Sequence, residues 1–295
     1  MQEIICHIGF PKTGTTYLQK NVFPQIKNIN YVESNRIKQL LHDLIEKDDS
    51  YYPKDKIHTE LMQMHNLGLN MLFSYEALSG HHIRTEFPNR SQIARRLKAA
   101  GVNKIIITIR NQTDVLESTY KQYIKSGGVL KLSKFFNFKN NLNPYFYIEF
   151  FNYEKIIKLY SEIFGIENVK VIQFEDLFLK NGSYKRELAS FLKVKNDDFG
   201  DSQKMKVNKS LSNFSTKLLR VINHFTYNTY RPSNLISKRI SSHAFYRLLL
   251  LIDRSKNKNK LISKYKNEIS SYFLDSNIGL EEKCNLNLHK KYTNK

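Results

Sequence analysis

The segment from Ile4 to Gln19, IICHIGFPKTGTTYLQ, constrains the fold more than any other stretch of the chain. An apolar run, Ile4 to Ile8, leads into Gly9, Pro11, Lys12, Gly14, Thr15 and Thr16, and a helical pattern resumes at Tyr17, Leu18, Val22 and Phe23. A strand, a tight turn and a helix in this order make a phosphate cradle, because turn amides converge on an anion and the helix start adds partial positive charge. Gly9 and Gly14 let the backbone approach a ligand without an intervening Cβ. Lys12 adds a mobile full charge, and Thr15 and Thr16 add hydroxyl donors. A nucleotide-binding loop reads G-x-x-x-x-G-K-[ST]. Here Gly9 and Gly14 keep that glycine spacing, but Thr15 takes the lysine position and the lysine stands earlier, at Lys12. The charge is thereby moved from the β/γ-phosphate position toward another part of the ligand.

A second anion-binding pattern follows. Lys104 to Ile109, KIIITI, is a β-branched apolar run and hence a buried strand. It ends in Arg110-Asn111, and a helical pattern begins near Thr113-Asp114. Ser118 lies about two helical turns beyond Arg110. An arginine at a strand end and a serine on the next helix can reach one dianion, the first through a planar fork of donors and the second through a single hydroxyl.

Together these residues resemble the signature of sulfotransferases that use 3′-phosphoadenosine 5′-phosphosulfate (PAPS). PKTGTT looks like the 5′-phosphosulfate loop of that family. The resemblance implies that Lys12 contacts the 5′-phosphate and the bridging oxygen, while Pro11, Thr13, Gly14, Thr15 and Thr16 hold the rest of the 5′ side. Arg110 and Ser118 would hold the 3′-phosphate, the product would be 3′,5′-adenosine bisphosphate, and no metal is implied. Gln112 departs from the family, which often has proline two residues after the arginine; the difference touches loop shape rather than ligand chemistry. Softer matches are Leu69–Ser74 followed by Tyr75-Glu76, Ser126 to Phe136, Phe164 to Leu177, and Val207 to Leu211. The resemblance spans residues 3–223 and is closer to bacterial and carbohydrate-type members than to the phenol type, because glutamate rather than histidine follows the second strand.

Strand candidates at 3–8, 69–74, 104–109 and 169–174 alternate with helical patterns, which predicts an α/β fold: a P-loop-like, three-layer arrangement of a central parallel sheet flanked by helices. Lys12, Glu76 and Arg110 each follow the C-terminal end of a strand, where ligands sit in such sheets. A single domain is expected over 1–275, with its core at 3–223, a basic helical C-terminal region after it, and a loosely ordered tail at 276–295. Residues 129–153 are rich in aromatic side chains, and acceptor lining and core packing both suit them.

The formal net charge is +20, and residues 201–270 hold fifteen Lys+Arg against three Asp+Glu. Such a balance suits a polyanionic partner, and PAPS is itself strongly anionic. No zinc spacing, repeat or aromatic RNA-binding segment points to nucleic acid. The basic region could hold an anionic glycan or approach an anionic membrane surface. Cys6 and Cys284 cannot make a disulfide framework, and Leu248–Ile252 is too short to span a bilayer. The chain enters an apolar strand almost at once, so no signal peptide and a cytoplasmic location are expected.

The chemistry implied is in-line sulfuryl transfer to an acceptor hydroxyl, with Lys12 neutralising the leaving group and a base taking the proton. Glu76, set beside Phe73 and Tyr75, is the base this reading selects, with a pKa raised by burial. His81 and His82 are the rivals, because many sulfotransferases use histidine. A saccharide or glycolipid is the expected acceptor. The alternatives are a P-loop kinase or NTPase, whose lysine would be displaced here, a nucleic-acid binder supported by charge alone, and a silent glycan-binding relative.

Overall fold

The computed structural model describes residues 2–65, 68–80, 90–136, 146–179, 182–200, 210–226, 242–253, 261–284 and 286–293. Five strands, β1 (Ile4–His7), β2 (Ile29–Val32), β3 (Asn70–Ser74), β4 (Lys104–Ile109) and β5 (Val169–Gln173), form one sheet in the order β2-β3-β1-β4-β5. Every pairing is parallel, with Cys6 opposite Phe73 on one side and Ile105 on the other. The expected parallel α/β sheet is therefore present. β2 is the strand that the sequence did not reveal: INYV is short, lies at the edge, and buries only its two ends.

The helices are α1 (Thr15–Tyr17), α2 (Lys38–Glu46), α3 (Lys54–His65), α4 (Arg90–Ala99), α5 (Gln112–Lys125) and α6 (Leu132–Phe135) in the first half. They continue with α7 (Tyr153–Phe164), α8 (Ser183–Leu192), α9 (Asn213–Ile222), α10 (Ser242–Ile252), α11 (Lys266–Cys284) and α12 (Lys290–Thr293). After α1 the backbone widens into a π turn, Leu18–Val22, and Pro24 lies in the short 3₁₀ turn that ends it.

Strand alternation divides the core into two layers. Ile4, Cys6, Phe73, Ile105 and Ile107 face the larger layer, which is covered by α2, α4, α5, α7 and α11. Ile5, Leu72, Ile106 and Ile172 face the smaller one, against Leu18, Phe23 and the α8 residues Leu188 and Leu192. β4 is buried at all positions, as a central strand covered on both faces must be. The connections from β1 run toward β3, and those from β4 run toward β5. The crevice between β1 and β4 is thus the switch point of the sheet, where open α/β folds bind ligands.

The expectation of a loose tail from residue 276 is corrected. Residues 276–284 complete α11, which buries Ile269, Phe273 and Leu280, and Tyr292 is 1% exposed. Leu280, Leu288 and Tyr292 join the core, and polar contacts add to their hold. Gln112 Nε2 donates to Asn277 Oδ1 at 2.8 Å, Asn111 Nδ2 to the Lys291 carbonyl at 2.6 Å, and His289 Nε2 lies 2.7 Å from Asp176 Oδ1. Among the described residues, no helix is long and apolar enough to cross a membrane.

Candidate active site

The loop after β1 is shaped by close approach. A Cβ on Gly9 would lie 2.1 Å from Thr108 Oγ1 and 2.6 Å from His7 Nε2, so only glycine fits against β4. Phe10 N still donates to the Thr108 carbonyl, at 3.1 Å, which ties the loop to the sheet. Lys12 (φ 66°) and Gly14 (φ 88°) are both left-handed. For lysine this conformation is unusual and is imposed by the turn.

A polar layer lies beneath the loop. Thr13 Oγ1 donates to the Phe10 carbonyl at 2.5 Å and lies 2.7 Å from Thr108 Oγ1. His7 Nδ1 is 2.7 Å from Ser74 Oγ, and Gln19 Nε2 donates to the same hydroxyl at 2.9 Å. Complete burial holds His7 neutral, with its pKa depressed to about 3. Pro11, Thr13 and Thr15 are buried, and Thr16 is exposed.

Lys12 points across the crevice. Its Nζ donates to Gln122 Oε1 at 3.0 Å, and its carbonyl accepts from Arg110 Nη1 at 3.1 Å. The two expected anion-binding patterns, 98 residues apart, are therefore in direct contact. The Arg110 guanidinium lies 4.2 Å from the centroid of the Phe174 ring, and its Nε is buried without a hydrogen-bond partner. Tyr153 Oη donates to the Arg110 carbonyl at 2.7 Å. Glu175 accepts from the Asn111 amide at 3.1 Å and from Tyr292 Oη at 2.9 Å. The backbone around Arg110 is thus clamped from two sides, while one side-chain donor is left unused.

Glu76 opens the 3₁₀ turn that follows β3. Thr15 Oγ1 donates to its Oε2 at 2.6 Å. Burial raises the Glu76 pKa above the ordinary carboxylate value, and the Thr15 hydrogen bond and the Lys12 charge only partly offset it. Burial likewise lowers the Lys12 pKa; Glu76 opposes this, and the Lys125 and Arg110 charges add to it. Three cations and one carboxylate therefore share a single electrostatic neighbourhood, with positive charge in excess.

Ser118 is partly buried on α5, and among the described residues its side chain makes no hydrogen bond to Arg110. It lies one turn before Gln122, on the same face of the helix. Sequence reasoning missed Gln122, Phe174, Tyr153 and Glu175. For Gln122 a signal existed, namely its spacing of one turn from Ser118. Phe174 and Glu175 directly follow β5. His81, His82, Val207, Asn208 and Lys209 lie outside the described residues. In the aromatic stretch the described residues Phe135, Phe136, Phe146, Phe150 and Phe151 are core, with the Phe135 and Phe146 rings stacked at 4.7 Å. Its middle, 137–145, lies outside them.

A family model described as "Sulfotransferase domain" matches residues 4–261. The chain belongs to the sulfotransferase family. This is the reaction class that the two anion-binding patterns led us to expect, and the enzyme is a PAPS-dependent sulfotransferase. Among solved structures, a sulfotransferase from Alicyclobacillus acidocaldarius shares the fold at 17% identity, covering 98% of each chain with a TM-score of 0.56. Mouse sulfotransferase SULT7A1 complexed with PAP aligns at 14% identity over 96% of this chain and 89% of its own, with a TM-score of 0.44. A sulfotransferase domain from the curacin biosynthetic pathway aligns at 17% identity over 66% of this chain and 75% of its own, with a TM-score of 0.38. No curated protein sequence matches the chain.

Proposed function

We propose that this sulfotransferase transfers the sulfuryl group of PAPS to a hydroxyl of a saccharide or glycolipid, with Lys12 and Glu76 as its catalytic residues. The observation that carries the reading is the joint between Lys12 and Arg110 at the switch point of the sheet. It brings a partly desolvated ammonium and an arginine with an unused buried donor to one crevice. That donor set fits a ligand with two separate phosphates. Arg110 and Ser118 would take the 3′-phosphate, with Phe174 fixing the guanidinium plane. Lys12 and residues 11–16 would take the 5′ side.

In this reading Glu76 removes the proton of the acceptor hydroxyl as that oxygen bonds to sulfur. The bond from sulfur to the bridging oxygen breaks on the opposite side, and its electron pair stays on the 5′-phosphate. Lys12 stabilises that charge as it develops. A carboxylate with a raised pKa is the better base near neutrality, and burial supplies the raise. The saccharide or glycolipid acceptor follows from the family resemblance, since glutamate rather than histidine follows the strand that carries the base.

Calorimetry with 3′,5′-adenosine bisphosphate, adenosine 5′-phosphate and ATP–Mg²⁺ tests the donor site. The bisphosphate should bind most tightly; preference for ATP–Mg²⁺ would sink the assignment. Lys12→Ala should lower turnover roughly 10²–10³-fold and weaken the bisphosphate much less. Near-normal turnover in that variant would remove Lys12 from the chemistry.

A further inference from the structure

We propose that α9 and α10 form a docking surface for an anionic phospholipid bilayer. The two helices pack against each other, and both lie on α5. α9 buries Ser215, Thr216 and Leu219 and turns Phe214, Leu218, Val221 and, just beyond its end, Phe225 outward. Phe214, Leu218 and Val221 follow spacings of four and three residues, which is one stripe along the helix, and Phe225 follows in the turn beyond it. Phe214 is 73% exposed. α10 buries Leu249 and turns Leu248, Leu251 and Ile252 outward, with Leu251 82% exposed. A row of aliphatic and aromatic side chains on adjacent helices is more than the scattered apolar exposure normal for a soluble surface.

Charge selects the occupant. Neither α9 nor α10 contains an acidic residue, and the exposed Lys217 and Arg247 flank the apolar rows, while Arg220 is partly buried and donates to the Val129 carbonyl. The nearest acid in sequence, Asp253, is engaged in accepting from the Ser212 amide at 2.7 Å. A second copy of the chain would bring the same cations to this face, with no acidic residue on either helix to pair with them. A nucleic acid would gain little from aliphatic side chains. An anionic bilayer satisfies both features, taking the apolar rows below its headgroups and the cations at phosphate level. α10 has 11 residues, too few to span, which suits a helix lying in the interface plane.

The surface adjoins the site. Asn223 Nδ2 donates to the carbonyls of Ile124 and Gly128, at the end of α5 that carries Gln122, the partner of Lys12. A bilayer held by α9 and α10 would lie beside the helix that lines the crevice. The docking surface does not depend on the identity of the acceptor.

The test is co-sedimentation of the full chain with phosphatidylcholine vesicles, with and without about a third of phosphatidylserine. Binding should require the anionic lipid and should weaken as salt is raised. Phe214→Ser with Leu251→Ser should lower binding by about tenfold per side chain without shifting the melting temperature, because both residues are exposed. Lys217→Gln with Arg247→Gln should weaken binding and flatten its salt dependence. No binding to anionic vesicles, equal binding to neutral ones, or binding unaffected by the serine variants overturns the proposal. So does a dimer that the serine variants dissolve, since the face would then serve self-association.

Discussion

The hydroxyl of Thr15 donates to Oε2 of Glu76 at 2.6 Å, so the anion-binding loop and the carboxylate after β3 are joined without an intermediary. The contact spans 61 residues of sequence and links the proposed donor side to the proposed acceptor side. It also sets the proton affinity of the carboxylate. Burial pushes the Glu76 pKa up, and the Thr15 bond pulls it back.

Thr15→Val removes that restraint at nearly constant volume. The Glu76 pKa should then rise further, and the acid limb of the pH–rate profile should move to higher pH. Turnover well above that limb should fall much less than turnover on it. The measurement is kcat against pH for both proteins. An acid limb that stays in place would mean that Thr15 does not tune the base.

Arg110 is expected to act on one phosphate. Arg110→Ala should weaken 3′,5′-adenosine bisphosphate by about 1.5–3 kcal/mol, the worth of a charge-assisted contact, and leave adenosine 5′-phosphate little changed. Ser118→Ala should shift the same ratio by less. Arg110→Lys should not restore it, because lysine cannot both lie flat on Phe174 and donate to the Lys12 carbonyl. Titrations of the two nucleotides decide the matter, and equal weakening of both would place Arg110 on the 5′ side or in the fold.

How much of this was legible before the structure follows from where each signal lies. β1, β3 and β4 are apolar runs buried along most of their length, β5 shows itself through Val169, Val171 and Ile172, and the ends of the first three carry Lys12, Glu76 and Arg110 in local patterns. β2 escaped because it has four residues, of which only Ile29 and Val32 are buried, with the polar Asn30 between them. Gln122, Phe174 and Glu175 escaped for a different reason. The spacing of Gln122 from Ser118 marks a shared helix face, but no local spacing names its partner Lys12, 110 residues away, or brings Phe174 and Glu175 to the Arg110 loop. The hold on residues 286–293 was hidden because Leu288 and Tyr292 are isolated apolar positions and the remaining contacts go through carbonyls or to side chains more than 100 residues away.

Tyr292 ties the C-terminal segment to the Arg110 loop. Its hydroxyl donates to Glu175, whose other oxygen accepts from the Asn111 amide. Tyr292→Phe should leave one partly buried carboxylate oxygen of Glu175 short of a donor and cost about 1 kcal/mol of stability. A purely structural role would stop there. If Tyr292 also positions Arg110, the variant should lower affinity for the 3′,5′-bisphosphate relative to adenosine 5′-phosphate. Loss of melting temperature with an unchanged affinity ratio would confine Tyr292 to stability.

Glu76→Gln separates function from stability at one position. It keeps the shape and an acceptor for the Thr15 hydroxyl, but it removes the base. Turnover should fall about 10²–10⁴-fold, the usual worth of a positioned base. Saturating acceptor should not restore it, because the loss is in the chemical step. Stability should move the other way. The folded pKa of Glu76 is raised, chiefly by burial, so the folded chain holds this proton more tightly than the unfolded chain does. The contribution of Glu76 to stability is therefore greatest below its unfolded pKa and is lost as pH rises through its folded pKa. Glutamine does not titrate. The melting temperature of Glu76→Gln relative to the parent should be lowest in acid and should climb toward neutral pH, where the parent must keep a partly desolvated charge. Parallel melting curves across that range, or a variant that falls relative to the parent as pH rises, would show that Lys12 and Thr15 match or outweigh burial. Glu76 would then be a settled ion-pair partner of Lys12 rather than a base poised for proton removal.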